Sequence, residues 1–203
     1  LRTYQLNARD KGIELIQEIQ PHLPPVIGHY DLLLQVFTNL VGNSLKFTES
    51  GGKIAIRAYL LPQDKLDVSL NGNKTSPFLT PPLDRATTDD KSDNSPLVRV
   101  EVADTGIGID AEDQSAIFDR FFRVENRVHT LEGTGLGLSI VRNIMEKHRS
   151  KVHLISEVGK GTTFWFDLKV YEEKPMVPVA ALTAETLTES SVITPIADPV
   201  PAP

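Results

Sequence analysis

The sequence predicts an α+β domain, a two-layer α/β sandwich in which about three helices cover one face of a mixed, mostly antiparallel sheet. Three observations carry this. "KIAIRAYL" (Lys53–Leu60) and "LVRVEVA" (Leu97–Ala103) alternate apolar with other residues, the period of two of a half-buried strand. Asp31–Lys46 and Gly137–His148 instead space their apolar residues three and four apart, the helical period. Near the end, two strand-like stretches are separated only by "EVGKG" (Glu157–Gly161), whose two glycines suit a hairpin turn.

In chain order, Leu1–Arg9 fits the end of a helix and Gly12–Ile19 a strand. Asp31–Lys46 is a helix with Asp31 as candidate N-cap. In Lys53–Leu60, Ile54, Ile56 and Ala58 share one face. Regularity then weakens over Leu61–Pro96, which holds Pro77, Pro81, Pro82 and Pro96 and ends in a polar run. This is expected to be a long, mobile insertion, with "KLDVSL" a candidate short strand inside it. Leu97–Ala103 restores the pattern, Ala111–Phe118 reads as a short helix, and Gly137–His148 is a longer one with Leu138, Val141, Ile144 and Met145 apolar. Val152–Ser156 and Thr162–Val170 form the closing hairpin. From Pro175 to Pro203, Pro, Ala, Ser and Thr dominate without a sustained period, as in a disordered tail. The expected organisation is a domain over residues 1–174 followed by a tail over 175–203.

Composition narrows the function. Of the 203 residues, 40% are hydrophobic, enough for a packed core. A formal net charge of -6 argues against general nucleic-acid binding. No apolar run of about 18 residues is present, so no membrane-spanning helix and no membrane contact is expected. The absence of cysteine rules out disulfides and thiolate metal sites and fits a cytosol-facing chain. The chain opens on Leu1 rather than Met, as expected of a segment of a longer protein.

The helix Asp31–Lys46 carries an anomaly. Asn39, Asn43 and Lys46 recur four and three apart, on one face beside the apolar Leu33, Val36, Phe37, Leu40 and Leu45. An Asn amide oxygen is a neutral ligand for a hard cation such as Mg2+, and a lysine one turn on can meet a phosphate as a point charge. A solvated polar edge fits the same spacing. "DTGIGI" (Asp104–Ile109) follows a strand directly. Its glycines permit close backbone approach, and an Asp at a strand end can accept a hydrogen bond from an exocyclic amine such as adenine's; an ordinary turn has the same letters. "GTGLGLSIV" (Gly133–Val141) runs three alternate glycines into a helix whose unpaired N–H groups suit phosphate. It is neither a dinucleotide-binding G-x-G-x-x-G nor a P-loop. The polar Arg123–Glu132 before it suits a lid. "GKGTTF" (Gly159–Phe164) is a hairpin turn whose Thr162 and Thr163 hydroxyls could line a pocket.

Taken in order, "NLVGNSLKFT", "DTGIGI", "IFDRFFRVE", "GTGLGLSIV" and "GKGTTF" resemble the catalytic ATP-binding domain of sensor histidine kinases, a Bergerat fold shared with DNA gyrase, the Hsp90 chaperones and MutL-type repair proteins. The resemblance covers Leu1–Leu168 apart from the insertion. "HRSKVHLISEVGKGTTFWFDL" is also similar to the NblS-type stress sensor kinases of cyanobacteria and red-algal plastids. The resemblance implies ATP and Mg2+ as cofactors. It makes Asn43 the metal ligand, Asn39 a polar contact near the phosphates, and Lys46 and Arg123 groups that reach phosphate oxygens. Asp104 would hold the adenine amine, with Gly106 and Gly108 shaping the pocket, Ile109 lining it and Thr162 or Thr163 nearby. Phe118 and Phe122 would anchor the lid, and Gly133, Gly135, Leu136, Gly137 and Leu138 would close around the triphosphate.

In the gyrase-like ATPases the residue four before the Mg2+ asparagine is a water-activating Glu. Here it is Asn39, which has no basic site for general-base work, so slow hydrolysis is expected and phosphoryl transfer to a separate nucleophile fits better. That nucleophile would be a histidine of a neighbouring dimerisation domain, usually followed by an acidic residue. None of the five histidines, His22, His29, His129, His148 and His153, is so followed. No catalytic residue for autophosphorylation is therefore expected in the chain itself. The implied partners are its dimerisation/phosphoacceptor domain and a downstream response regulator, with a small regulatory adaptor a further candidate. The fragment itself would be monomeric, the cytosolic domain of a membrane-anchored parent. A superfamily ATPase and a non-catalytic docking module are the competing readings. Three departures from the family pattern stand out: "HRS" (His148–Ser150) for the common HGG, Ser44 for the usual Ala, and the insertion, which is expected to lie away from the ATP motifs.

Overall fold

In the computed structural model, which describes residues 2–62, 76–83, 95–122 and 134–172, the alternating stretches become five strands of one sheet. They are β1 (Glu14–Ile19), β2 (Lys53–Leu60), β3 (Leu97–Asp104), β4 (Val152–Glu157) and β5 (Gly161–Lys169), in the spatial order β1-β2-β3-β5-β4. β1 and β2 run parallel, because the chain returns through a helix between them. The other pairings are antiparallel.

Three helices, α1 (Arg2–Asp10), α2 (Tyr30–Phe47) and α3 (Gly137–Lys147), accompany the sheet. Val36, Leu40, Val41 and Leu45 of α2 and Val141, Ile144 and Met145 of α3 share one core with Val98, Val100 and Val102 of β3 and Phe164, Phe166 and Leu168 of β5. The period-two and period-3.6 stripes thus face each other. α2 begins one residue earlier than the sequence suggests. His29, not Asp31, is its N-cap, and Asp31 sits in the first turn, where a carboxylate favours the helix dipole. His148, which follows α3, ties the two helices together. Its Nδ1 donates to the Ile144 carbonyl at 2.7 Å and its Nε2 accepts the His29 N–H at 3.0 Å.

Ala111–Phe118 is not the continuous helix expected. Turns lead only to a short 3-10 segment, Ala116–Phe118. The side chains of Asp110 and Gln114 supply the reason. Asp110 Oδ1 accepts the Glu112 N–H, and the Gln114 amide reaches the Ile109 and Ser156 carbonyls, local bonds that compete with a helical ladder.

The other face of the sheet is also covered, since β3 is buried along its whole length. Ala55, Ala103 and Phe78 form a small second cluster, with Ile16 packed against it. Phe78 belongs to the insertion, so residues 76–83 pack against the sheet. Thr163 Oγ1 donates to the Leu79 carbonyl at 2.7 Å, and Arg99 donates to the Pro82 carbonyl. Ala103 and Thr163 are paired across β3 and β5 and are the chain neighbours of Asp104 and Thr162. The described part of the insertion therefore lies directly behind the strand ends that carry Asp104 and Thr162, not away from them as the sequence suggests. "KLDVSL" and the tail from Pro175 fall outside the described residues. Phe78→Ala is expected to cost about 3 kcal/mol of stability, the usual loss for a buried ring. A urea midpoint within error of the unaltered chain would show that Phe78 only rests on the sheet.

Candidate functional site

Asp104 ends β3. The preceding even positions of that strand point into the apolar core, so Asp104 brings a carboxylate to the core's edge. It is 5% exposed. Burial holds its carboxyl above the usual range, while hydrogen bonds from the Gly106 N–H, the Ser44 hydroxyl and the Thr162 N–H pull it back down. The Gly106 and Thr162 N–H groups reach Oδ1 at 3.0 and 3.2 Å, and Ser44 Oγ reaches Oδ2 at 2.9 Å.

The turn after Asp104 is pinned on both sides. The Ile107 N–H donates to the Phe47 carbonyl at the end of α2, at 3.2 Å. Gly108 has φ +72, and a Cβ there would stand 2.1 Å from the Glu157 carbonyl oxygen, so no side chain fits. The Ile109 N–H donates to Ser156 Oγ at 2.8 Å, and Ser156 Oγ lies 2.8 Å from Thr162 Oγ1. Asp104, Gly106, Gly108, Ile109 and Thr162 thus form one cluster. Thr163 is excluded from it by strand alternation. It is fully buried on the opposite face and spends its hydroxyl on the Leu79 carbonyl, so of the two threonines it is Thr162 that stands beside Asp104.

The second cluster joins α2 to the start of α3. A Cβ on Gly137 would stand 3.3 Å from Asn39 Oδ1, so the helix start lies against Asn39. Asn39 Nδ2 is buried without a partner among the described residues. Leu136, the N-cap of α3, supplies no side-chain cap. Unspent donors therefore gather here, as an anion would require. Asn43 is half-buried on α2 between Asn39 and Ser44, and Lys46 Nζ stands 4.9 Å from the Phe47 ring centroid. Phe118 packs edge-on against Phe164 at 6.3 Å, and Ile109, Phe122 and Leu138 lean on the core. The Phe121 N–H donates to the Gly135 carbonyl at 3.0 Å, joining the two sides of the segment between them. Arg123, Gly133 and the polar Arg123–Glu132 stretch lie outside the described residues.

Two residues of the cluster, Ser44 and Ser156, carry no mark in the sequence that would make them site residues. Ser44 looks like a small residue in a core stripe, and only its place directly after Asn43 hints at a partner for its hydroxyl. Ser156 sits in an ordinary strand, and nothing in its spacing marks it.

The family model described as "Histidine kinase-, DNA gyrase B-, and HSP90-like ATPase" matches residues 28–172. Drug sensory protein A of Synechocystis sp. is 58% identical over 177 residues, 87% of this chain and 23% of the relative. The uncharacterized sensor-like histidine kinase ycf26 of Pyropia yezoensis is 47% identical over 173 residues, 85% of this chain and 23% of the relative. The chain thus spans under a quarter of these relatives. Among solved structures, the mycobacterial sensor histidine kinase MprB superposes with a TM-score of 0.58 at 22% identity, covering 85% of this chain and 93% of that one, a likeness of fold. Full-length ShkA in complex with AMPPNP gives a TM-score of 0.57 at 26% identity, over 85% of this chain and 30% of that one.

Proposed function

This chain belongs to the family of histidine kinase-, DNA gyrase B- and HSP90-like ATPases, and from that premise we propose that it is the nucleotide-binding half of a protein-histidine kinase. It binds ATP with Mg2+ and presents the γ-phosphoryl group to a histidine on a separate dimerisation domain. The observation that carries this reading is the division of labour along α2. Ser44 joins the helix to an anchored acceptor, Asp104, and Asn39 joins it to the uncapped, donor-rich start of α3. An acceptor at one end and unspent donors at the other suit a base with an exocyclic amine and a chain of phosphates.

The roles follow from the residues present. Asp104 accepts the amine, while Gly106, Gly108 and Ile109 keep the turn close to the base. The start of α3, with Gly135, Leu136, Gly137 and Leu138, meets the phosphates, and Asn39 Nδ2 adds a side-chain donor. Lys46 adds positive charge on the same helix. Mg2+ would be held by the amide oxygen of Asn43 and, when bound, neutralises phosphate charge. Asn39 takes no proton from water, so the chain positions a donor rather than activating a nucleophile. The histidine nucleophile belongs to the dimerisation domain, and a response regulator receives the phosphoryl group afterwards. A small regulatory adaptor is a further partner in this reading. No helix of the described residues is long and apolar enough to cross a membrane. The reading places the domain on the cytosolic side of a membrane-anchored parent.

Calorimetry with a non-hydrolysable ATP analogue tests this. Binding with Kd on the order of micromolar is expected in the presence of Mg2+. Asn43→Ala should weaken it about 10-fold and remove most of the Mg2+ dependence. Absence of binding by a folded chain would overturn the proposal.

A further inference from the structure

We propose that Ser44 is a positioning residue for the base of the nucleotide: its hydroxyl orients the Asp104 carboxylate so that a single Oδ2 lone pair is left for one N–H donor. This rests on the ATP reading above and deepens it, because it assigns a task to a residue that touches no ligand itself.

A carboxylate offers about four acceptor positions. In Asp104 the Gly106 and Thr162 N–H groups occupy Oδ1, and the Ser44 hydroxyl occupies one position on Oδ2. The two backbone donors hold one oxygen, and rotation about the bond to Cβ would carry both oxygens off their donors. The third donor, 2.9 Å from the other oxygen, restrains the same rotation from the opposite side and takes one of that oxygen's two positions. What remains is one acceptor position, matched to one N–H of an amino group on a purine's six-membered ring.

Ser44 is 1% exposed, on α2 between the core residues Val41 and Leu45. Alanine has the same Cβ and a better helix propensity, so neither the helix nor the apolar contacts of Val41 and Leu45 call for a hydroxyl. The hydroxyl also stabilises the ionised form of Asp104 against burial, which acts the other way. Among the described residues no charged side chain contributes to that balance: burial is the larger influence and raises the carboxyl, and the three hydrogen bonds alone oppose it.

The test is a two-by-two comparison. ATP and purine riboside triphosphate, which lacks the exocyclic amine, are titrated by calorimetry into the chain and into Ser44→Ala. The expected result is an ATP affinity lowered on the order of 10-fold in the variant, with the amine-free analogue changed less than about 2-fold. Equal losses for both nucleotides, or no loss for ATP, would overturn the positioning role while leaving the ATP reading intact. Binding of neither nucleotide by the unaltered chain would overturn both. A second measurement needs no nucleotide. Carboxyl carbon NMR of Asp104 should show its protonation moving to higher pH in Ser44→Ala, and an unchanged titration would equally overturn the role.

Discussion

Asp167→Ala is expected to destabilise the chain by about 3–5 kcal/mol, enough to unfold a marginal domain. Asp167 holds Arg99 through two parallel bonds, Nε to Oδ1 at 2.8 Å and Nη2 to Oδ2 at 3.0 Å. Arg99 is fully buried in the middle of the sheet's outer face. Burial works against its charge, and the bond and attraction to Asp167 outweigh that, so the guanidinium stays above its ordinary value. Removing the carboxylate takes away the two-bond partner of a buried cation, and neither the Pro82 carbonyl nor the Trp165 ring, 5.9 Å away, replaces an ion pair. Urea unfolding reads the loss. The double variant Arg99→Met with Asp167→Leu should recover most of it, because an apolar pair needs no desolvation. A single variant within about 1 kcal/mol of the parent would mean that the pair is solvated.

Asp104→Asn should act on binding and spare the fold. An asparagine can keep its oxygen toward the Gly106 and Thr162 N–H groups, but its amide nitrogen then replaces Oδ2. A donor now meets the ligand's donor, and ATP-analogue affinity is expected to fall on the order of 100-fold. Stability should stay within about 1 kcal/mol, since the variant buries no charge. The same argument fixes the pH dependence. The carboxyl titrates above the usual range, so folding takes up a proton between the usual value and the raised one. Stability therefore falls as pH rises through that window and is level above it, whereas ATP affinity rises through the same window. The asparagine variant should lose both slopes. Retained affinity in a folded Asp104→Asn chain would remove Asp104 from the site.

Much of this was legible in the letters, and particular residues show where legibility stops. β2 has the bounds that alternation gives it, because one face packs on helices and period two is then obligatory. Ala111–Phe118 misled because apolar spacing says nothing of Asp110 and Gln114 spending their side chains locally. Thr162 and Thr163 are indistinguishable until register fixes which one shares Asp104's side. Ser44 reads as a small-for-small exchange until the fold sets its hydroxyl against a carboxylate 60 residues on. Phe78 is a single aromatic in a Pro-rich polar stretch, and composition gives one buried ring no weight against its neighbours.

The His148 bridge has a metrical consequence. α2 and α3 meet at two points, through the hydrogen bond of the His29 N–H to His148 and where Gly137 lies against Asn39. At 1.5 Å per residue the two points lie about 15 Å apart along α2 and about 16.5 Å apart along α3. Two nearly equal spans make the pair commensurate, like adjacent rungs on a ladder. The register of the donor-rich end against Asn39 is thus held from the far end, by a single imidazole that gives one bond and takes another.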